Sequence, residues 1–372
     1  MSIRLSEITE GESRLLVPRD GRLTKKDPVF YNPEMELSRD MSVGVASAAK
    51  AESFCDLLAG TGARGVRIAK ETGAAVLCND LNPLAFDLIE KNKELNCVDV
   101  EVAQLDGNKL LAERRFDFID IDPFGSPVAF IDSAVRAVNN RGILAVTATD
   151  TAALCGTSPR ACLRKYDALS LRTDYYNELA LRILIGHVAR SAARHGRGIA
   201  PLFSHCTRHY FRAYLQVVRG SGKANSTRED VGYIQHCFAC LWRGFSALSD
   251  LECACSCGAK VNTAGPLWTG AFADADFCGD LVEEIGCRPL GRKKEALKLV
   301  EMVGAEQGVL TPYYNVHKVA GKLGLPVLPM DEIVRGLEVK GFKAFRTHFS
   351  GFGLRTDAGL NELQEVISHY VK

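Results

Sequence analysis

The sequence predicts an α/β protein with a doubly wound, Rossmann-like sheet, followed by a smaller C-terminal α+β unit. Short apolar runs alternate with amphipathic stretches from residue 51 to about residue 220, the pattern of strands separated by helices. The glycine-rich turn Gly60-x-Gly62-x-x-Gly65 follows the first apolar run, where a strand would lead into a helix N-terminus. The 372 residues are too many for one typical domain, so a second unit is expected.

Each strand of the predicted sheet corresponds to one apolar run, and a helix is expected to begin near Met35, ahead of the sheet. The strands are predicted at 53–58, 75–78, 98–102, 116–121, 143–147, 202–206 and 214–218. The last two runs are separated by a short turn, so they are expected to form an antiparallel end of the sheet.

The chain beyond the sheet has a different organisation. The stretch 220–227 is small and polar, which predicts a linker or an exposed hairpin. Helical patterning occurs three times and precedes a predicted hairpin, at 293–303, 314–323, 331–340 and 342–349. Three helices followed by a hairpin suggest a winged helix-turn-helix. We therefore expect a first domain over 1–220 and a C-terminal domain over 221–372.

Composition excludes several classes of protein. With 47% hydrophobic and 24% charged residues the chain is of the globular type, and no apolar run approaches the ~18 residues of a membrane span. The N-terminus lacks a signal-peptide core, so we predict a cytoplasmic protein with no membrane or protein partner. The net charge of +1 does not indicate a nucleic-acid binder. Residues 288–350 nevertheless hold eleven Lys and Arg against six Asp and Glu, which suits a phosphate backbone or a solvated helical surface.

Two carboxylates follow the second and third predicted strands and suggest a nucleoside-containing cofactor. Asp80 ends the second strand, where a carboxylate can bind both ribose hydroxyls of an adenosine. Asp106 follows the third strand and suits either an adenine amino group or the N-cap of a helix. Together with the glycine-rich turn, these positions serve NAD and S-adenosylmethionine equally well.

The end of the fourth strand decides between the two cofactors. There the sequence reads Asp120-Ile-Asp122-Pro123-Phe124-Gly125, and an acidic residue followed by proline and an aromatic ring is how amino-methyltransferases hold a flipped base. A base amine is a poor nucleophile, because its lone pair is delocalised into the ring, and Asp122 can accept its N–H groups with help from the Pro123 carbonyl. Phe124 can stack on the base. Asp120 is an alternative acceptor that the sequence does not distinguish from Asp122.

Several blocks, taken together, resemble the tRNA (guanine-26-N2)-dimethyltransferase family in its shorter archaeal-type form. These blocks are Phe30-Tyr31-Asn32-Pro33, Arg39-Asp40, Thr61-Gly62-x-Arg64-Gly65-x-Arg67, Asp120-x-Asp122-Pro123-Phe124-Gly125-Ser126-Pro127, Val146–Asp150, Cys155-Gly156, Pro159–Tyr166 and Arg346–Phe349. They extend over nearly the whole chain. The resemblance implies a class I methyltransferase sheet, tRNA as the partner, and one or two methyl transfers from S-adenosylmethionine to the N2 amine of a guanine at the base of the D-arm.

The resemblance also implies roles for individual residues. Arg39, with Arg64 or Arg67, would reach the cofactor, and a guanidinium can bind a carboxylate through two hydrogen bonds. The alternative for each arginine is a salt bridge to a neighbouring carboxylate. The adenosine site would be formed by Asp80, Asp106 and Gly107. Asp122 would be the catalytic acceptor, with Pro123 and Phe124 beside it.

A cysteine cluster in the C-terminal part predicts a structural zinc site, as part of a tRNA-binding domain. Cys237-x-x-Cys240 is followed by three further cysteines within 20 residues, which approximates a four-thiolate site. We favour Cys237, Cys240, Cys255 and Cys257 as the ligands, with Cys253 as the substitute. Cys-Ala-Cys-Ser-Cys departs from the Cys-x-x-Cys-Gly that the resembled family often carries, and buried unligated thiols are the alternative.

Three other functions share parts of this pattern. A DNA or protein amino-group methyltransferase would use the same core. A zinc-containing nucleic-acid-binding protein could retain the fold without catalysis. An NAD oxidoreductase is supported strongly only by the glycine-rich turn.

Overall fold

A computed structural model describes residues 4–19 and 28–369 of the chain. Residues 1–3, part of the stretch used to predict the absence of a signal peptide, lie outside the described residues. Strands β1 (Leu5–Glu10) and β2 (Ser13–Pro18) form an antiparallel hairpin. A single 3-10 turn, Pro33–Met35, then leads into helix α1 (Glu36–Ala48), so the helix predicted near Met35 is confirmed.

The predicted sheet is present and has seven strands. Their bounds are β3 (Ser53–Asp56), β4 (Ala75–Asn79), β5 (Val100–Ala103), β6 (Phe116–Ile121), β7 (Val138–Ala148), β8 (Arg197–Thr207) and β9 (Tyr210–Arg219). The order across the sheet is β5-β4-β3-β6-β7-β9-β8. Strands β3 to β7 run parallel, and β9 pairs antiparallel with both β7 and β8. The α/β fold class and the antiparallel end are therefore confirmed.

Helices cover both faces of the sheet. Between the strands lie α2 (Ala63–Thr72), α3 (Pro83–Asn96), α4 (Gly107–Glu113), α5 (Val128–Ala137), α6 (Thr151–Leu154), α7 (Pro159–Tyr166) and α8 (Tyr176–Arg194). One apolar core joins Ile119 and Leu144 of the sheet to Leu184 of α8. A second core, on the opposite face, joins Phe118 of the sheet to Met41 of α1. Adjacent strand residues thus enter different cores, as alternation along a strand requires.

The C-terminal part contains two small sheets and several helices. Its elements are α9 (Ser221–Glu229), β10 (Val231–His236), β11 (Arg243–Ser246), β12 (Asn262–Trp268), α10 (Ala275–Cys287), α11 (Lys293–Ala305), β13 (Tyr314–Asn315), α12 (Val316–Leu323), α13 (Met330–Val339), β14 (Ala344–Arg346), β15 (Gly353–Thr356) and α14 (Leu360–His369). A short 3-10 turn, Leu248–Asp250, follows β11. The sheets have the orders β11-β10-β12 and β13-β15-β14.

The prediction of a linker or hairpin over 220–227 was wrong, because this stretch begins helix α9. Ala224 and Thr227 are buried against β8, and the Thr227 hydroxyl accepts a hydrogen bond from the Ile199 backbone at 3.0 Å. Two small side chains at helical spacing are enough to bury one face of a short helix whose other positions are polar.

Helices were expected over 293–303, 314–323 and 331–340, and α11, α12 and α13 lie there. These three helices do not share one hydrophobic core. Val300 of α11 belongs to the core that also contains Met41 of α1. Helices α12, α13 and α14 instead surround a separate core with β14 and β15. No helix of the described residues is long and apolar enough to cross a membrane.

Candidate active site

The carboxyl ends of β3, β4 and β6 open onto a cavity of about 880 Å³, the usual place for a ligand in a doubly wound sheet. Part of its wall is the glycine-rich turn between β3 and α2. Gly60 there has a φ of +55°, and a Cβ atom at this position would lie 2.9 Å from the Phe30 carbonyl oxygen. Residues from several segments line the cavity, among them Phe30, Tyr31, Arg39, Asp56, Gly60, Arg64, Asp80, Asp122, Pro123, Phe124, Thr149 and Tyr210.

Asp122 follows β6 directly and borders the cavity with its side chain 17% exposed. Arg64 Nη2 donates a hydrogen bond to Asp122 Oδ2, and no described residue donates to Oδ1. Arg64 is itself held from α1, because its Nη1 donates to Ser42 Oγ at 2.5 Å and to the Ser38 carbonyl oxygen at 3.3 Å. The carboxylate is therefore oriented through one oxygen while the other remains for a ligand.

Asp120, two residues earlier on β6, has a different environment. It is fully buried and does not line the cavity. Arg212 of β9 donates hydrogen bonds to both of its carboxylate oxygens and to the Thr147 hydroxyl. Arg64 Nη1 also lies 3.5 Å from Asp120 Oδ2. Of the two candidate acceptors, only Asp122 borders the cavity.

Hydrogen bonds from a neighbouring strand and helix hold the loop that follows Asp122. The Gly125 N–H donates to the Thr149 hydroxyl at 2.8 Å, and the Thr149 N–H donates to the Gly125 carbonyl at 2.9 Å. Ser126 Oγ donates to the Tyr166 hydroxyl at 3.0 Å, and that hydroxyl donates to Asp150 Oδ1 at 2.6 Å. All five of these residues belong to blocks noted in the sequence, which explains why those residue types occur there.

Two phenyl rings lie at the same end of the cavity. Phe30 and Phe124 meet edge to face, with ring centroids 5.6 Å apart and an interplanar angle of 88°. Their relative exposures are 41% and 59%, which is high for such apolar side chains. Exposed aromatic faces beside a polar acceptor suit a flat, partly polar ligand such as a nucleobase.

Arg39 reaches the cavity from α1 and also forms the salt bridge that was its alternative role. Its Nε and Nη2 donate to the two carboxylate oxygens of Glu10 at 2.7 and 2.6 Å, and Nη2 donates to the Asn32 carbonyl at 3.1 Å. The guanidinium carbon lies 5.0 Å from the centre of the Tyr31 ring. Its Nη1 makes no hydrogen bond to the described residues. Arg39 is thus fixed by the N-terminal hairpin and keeps a donor for a ligand.

Arg67 does not border the cavity. It is fully buried, with its Nη1 2.7 Å from Asp40 Oδ1 and its Nε 2.8 Å from Glu71 Oε1. Glu10 lies 3.5 Å away and connects it to the Arg39 pair. Of the two arginines that the resemblance offered for the cofactor, Arg64 therefore lies at the cavity, and Arg67 forms buried salt bridges.

Asp80 and Asp106 are placed by the turns that follow their strands. Asp80 lines the cavity, and its two oxygens accept hydrogen bonds from the Gly60 N–H at 2.8 Å and the Asn82 N–H at 3.0 Å. Asp106 is the N-cap of α4: its Oδ1 accepts hydrogen bonds from the backbone N–H groups of Asn108 and Lys109. Asp106 is exposed and Gly107 is buried at the start of that helix, and neither lines the cavity itself.

Comparison with known proteins places this geometry in a family. The family model for N2,N2-dimethylguanosine tRNA methyltransferases matches residues 11–368. The tRNA (guanine(26)-N(2))-dimethyltransferase of Methanothermobacter thermautotrophicus is 39% identical over 374 residues, 97% of this chain and 98% of the relative. That of Methanosarcina barkeri is 40% identical over 357 residues, 91% of each chain.

The chain belongs to the tRNA (guanine-26-N2)-dimethyltransferase family. A solved structure of Trm1 from Pyrococcus horikoshii in complex with S-adenosyl-L-methionine has a TM-score of 0.90 and 36% identity, covering 98% of this chain and all of that one. The resemblance and the class I methyltransferase fold predicted from the sequence are confirmed. This chain is therefore an enzyme, a tRNA (guanine-26-N2)-dimethyltransferase.

One residue of this family member's cavity was not singled out from the sequence. Asp56 ends β3, is buried, and accepts a hydrogen bond from the Gly65 N–H at 3.2 Å. Burial raises the pKa of Asp56 to about 7; the Arg64 guanidinium opposes that rise, and the nearby Asp120 and Asp122 carboxylates add to it. The available signal was its position directly before the glycine-rich turn, at the end of the first strand of the sheet.

Four cysteines of the C-terminal part come together. The Sγ atoms of Cys237, Cys240, Cys255 and Cys257 all lie within 4.8 Å of one another. Two of the Sγ–Sγ distances, Cys237 to Cys257 and Cys240 to Cys255, are 3.6 Å. Tetrahedral thiolates around Zn²⁺ at ~2.3 Å would be about 3.8 Å apart, so the geometry fits zinc and is too long for a disulfide. The substitute ligand, Cys253, is exposed and outside this group.

Proposed function

We propose that this enzyme dimethylates the exocyclic N2 amine of guanine 26 in tRNA with Asp122 as the catalytic acceptor. The observation that carries this assignment is the position of Asp122: it follows β6 directly and borders the cavity, and Arg64 binds only one of its two carboxylate oxygens. Membership of the family supports S-adenosylmethionine as the donor and tRNA as the acceptor.

Asp122 has two tasks in this proposal. S-adenosylmethionine, when bound, supplies a methyl group that its sulfonium already activates. First, the carboxylate accepts a hydrogen bond from the amine, which favours the geometry in which the nitrogen lone pair is available for attack. Second, it receives the proton that the amine releases when it is methylated. Arg64 keeps that carboxylate in one orientation through its hydrogen bond to Oδ2. Phe30 and Phe124 hold the plane of the base, and the Pro123 carbonyl is a second acceptor near the amine.

The cofactor is assigned to the other residues of the cavity. Arg39 and Arg64 are proposed to bind its carboxylate, and Asp80 to bind the ribose hydroxyls. The residues Asp106 and Gly107 are proposed to border the adenine, at the start of α4. Arg67 is assigned a supporting role, because it is buried behind Glu10 and Asp40 and orders the carboxylate that pairs with Arg39.

A zinc ion is proposed for the four-cysteine group, with a structural role. Four thiolates fill a tetrahedral shell, whereas catalytic zinc sites keep a position open. The four cysteines lie between β10 and β12, and none of them lines the cavity, so zinc here would stabilise the C-terminal domain that we propose binds tRNA.

The test is methyl transfer from labelled S-adenosylmethionine to an unmodified tRNA transcript, followed by nucleoside analysis. Wild type should yield N2-methylated guanosines at position 26, and Asp122→Asn should lower kcat by about 10² or more, because the amide is a poor proton acceptor. Cofactor affinity is measured in parallel by calorimetry. Asp132→Asn, an exposed position on α5, is the matched control and should retain activity. Methylated tRNA at wild-type rate from Asp122→Asn would refute the assigned role.

A further inference from the structure

Helix α7 presents a basic face whose purpose the reactions above do not explain. Arg160, Leu163 and Arg164 are spaced i, i+3 and i+4 and so share one side of the helix. All three are exposed, Leu163 by 50%. Neither arginine makes a hydrogen bond or an ion pair with any described residue, and the helix itself contains no acidic side chain. Its sequence therefore carries unpaired positive charge around an exposed apolar side chain.

The opposite side of α7 is attached to the catalytic loop. Tyr166 is buried, and its hydroxyl joins Ser126 of the loop after Asp122 to Asp150. Lys165 Nζ donates to the other oxygen of Asp150 at 3.0 Å. Two consecutive residues of α7 thus connect the helix to the loop itself, through Ser126, and to Asp150 in the segment after β7. Hydrogen bonds therefore link the helix that carries the exposed face to the loop that follows Asp122.

Several exposed arginines of this protein are paired with carboxylates, whereas Arg160 and Arg164 of α7 are not. Arg114 pairs with Glu101 at 2.8 Å, and Arg346 pairs with Asp331 at 2.7 Å. Unpaired guanidinium groups bind phosphate oxygens well, because their planar N–H groups match the geometry of the anion. An apolar side chain between them suits the sugar and base surfaces of a nucleic acid strand.

We propose that Arg160 and Arg164 of α7 bind backbone phosphates of the tRNA strand that carries the target guanine. This proposal rests on the proposed function. Because α7 is hydrogen-bonded to the catalytic loop, phosphate binding on its exposed face places the strand at a fixed distance from Asp122. The helix thereby acts as a positioning element for the substrate, and its arginines are not catalytic residues.

The experiment uses the full-length double variant Arg160→Gln/Arg164→Gln, which keeps side chains that favour a helix. We expect its dissociation constant for tRNA, measured by fluorescence anisotropy, and its KM for tRNA to rise about tenfold. The magnitude of the slope of log affinity against log salt should fall by about 1.4 to 1.8, since each of the two phosphate contacts contributes about 0.7 to 0.9. The affinity for S-adenosylmethionine should not change.

The control is Lys70→Gln/Arg115→Gln, which removes two charges from a groove at the amino ends of β3, β4 and β6, opposite the cavity. Its tRNA affinity and salt slope should stay at the wild-type values. If the α7 variant equals this control in both measurements, or loses only kcat, the proposal is wrong, and a protein partner would be the remaining use for the face. A wild-type enzyme that methylates no tRNA would instead refute the proposed function.

Discussion

Two aspartates at the carboxyl end of β6 show how much the environment of a residue decides its role. Asp120 is the penultimate residue of β6 and Asp122 directly follows the strand, and their sequence context does not distinguish them. Arg212 and Thr147 come from strands that are distant in sequence and enclose Asp120, while Asp122 extends beyond the strand end to the cavity. The sequence therefore identifies both aspartates as candidates but does not show which one is the acceptor. The choice depends on Arg212, which reaches Asp120 only because β9 pairs with β7 in the folded sheet.

Asp120→Asn should destabilise the protein strongly. The substitution leaves Arg212 fully buried with one fewer negative partner, and removing one member of a buried ion pair typically costs about 3–5 kcal/mol. The free energy of unfolding is measured by urea denaturation. Asp132→Asn removes an exposed carboxylate and serves as the control. Equal unfolding midpoints for the two variants would show that the Asp120–Arg212 pair is not required for stability.

Asp56 should make stability depend on pH in the direction opposite to that of an ordinary paired carboxylate. Its pKa in the folded protein is about 7, above the usual 3.8, so folding favours the protonated form. The stability that it contributes is complete below about pH 4 and is lost as the pH rises to about 7.

We therefore compare urea unfolding of wild type and Asp56→Asn at several pH values. Between pH 4 and 7, wild type should lose stability relative to the variant by up to about 1.4 kcal/mol per pH unit, the effect of one proton. If the free energies of unfolding of wild type and Asp56→Asn differ by the same amount at every pH in this range, Asp56 keeps its usual pKa in the folded protein.

At the level of elements, the catalytic loop depends on α7 for its position. Tyr166→Phe removes the hydroxyl that bonds both Ser126 and Asp150, while the ring remains in the core. We expect kcat for tRNA methylation to fall about tenfold, because a loop displaced by a fraction of an ångström positions the base less well. Affinity for S-adenosylmethionine should be unchanged.

Tyr175→Phe is the matched control for that substitution. Tyr175 is also buried, but its hydroxyl has no hydrogen-bond partner among the described residues, and the ring packs beside His236 and Arg243. This variant should keep wild-type kcat and stability. A Tyr166→Phe enzyme with the same kcat as Tyr175→Phe would show that the hydroxyl does not support the loop.

The elements were predicted unequally well, for physical reasons. Strands such as β6 and helices such as α13 have strong periodic patterns, and they lie where the sequence places them. Helix α9 was missed because its burial rests on two small residues, Ala224 and Thr227. The packing of α11 against α1 could not be predicted either, because periodicity shows that a helix has an apolar face but not which neighbour covers it.

On the scale of the whole molecule, a buried group of charges connects helix α8, which packs on the seven-stranded sheet, to the C-terminal part of the chain. Arg355 of β15 donates to Glu178 of α8 and to Glu306, which follows α11, each at 2.9 Å. Glu306 also accepts from the His348 backbone at 2.8 Å. These segments are distant in the sequence, so the group forms only when the whole chain has folded. It should therefore link the unfolding of the two parts.

Glu306 should make this junction sensitive to acid. Burial alone would raise the pKa of Glu306, but the charges of His348 and Arg355 lower it to about 2. A carboxylate with a lowered pKa stabilises the fold at pH values above its usual pKa of 4.5, and that contribution is lost as the pH falls from about 4.5 to about 2.

Glu306→Gln should therefore be much less stable than wild type at pH 7, and the difference in the free energy of unfolding should shrink as the pH falls towards 3. Chemical denaturation at pH 7, 5 and 3 measures it, with the exposed Glu338→Gln as the control. A difference that is the same at pH 7 and pH 3 would mean that the charge of Glu306 does not hold the two parts together.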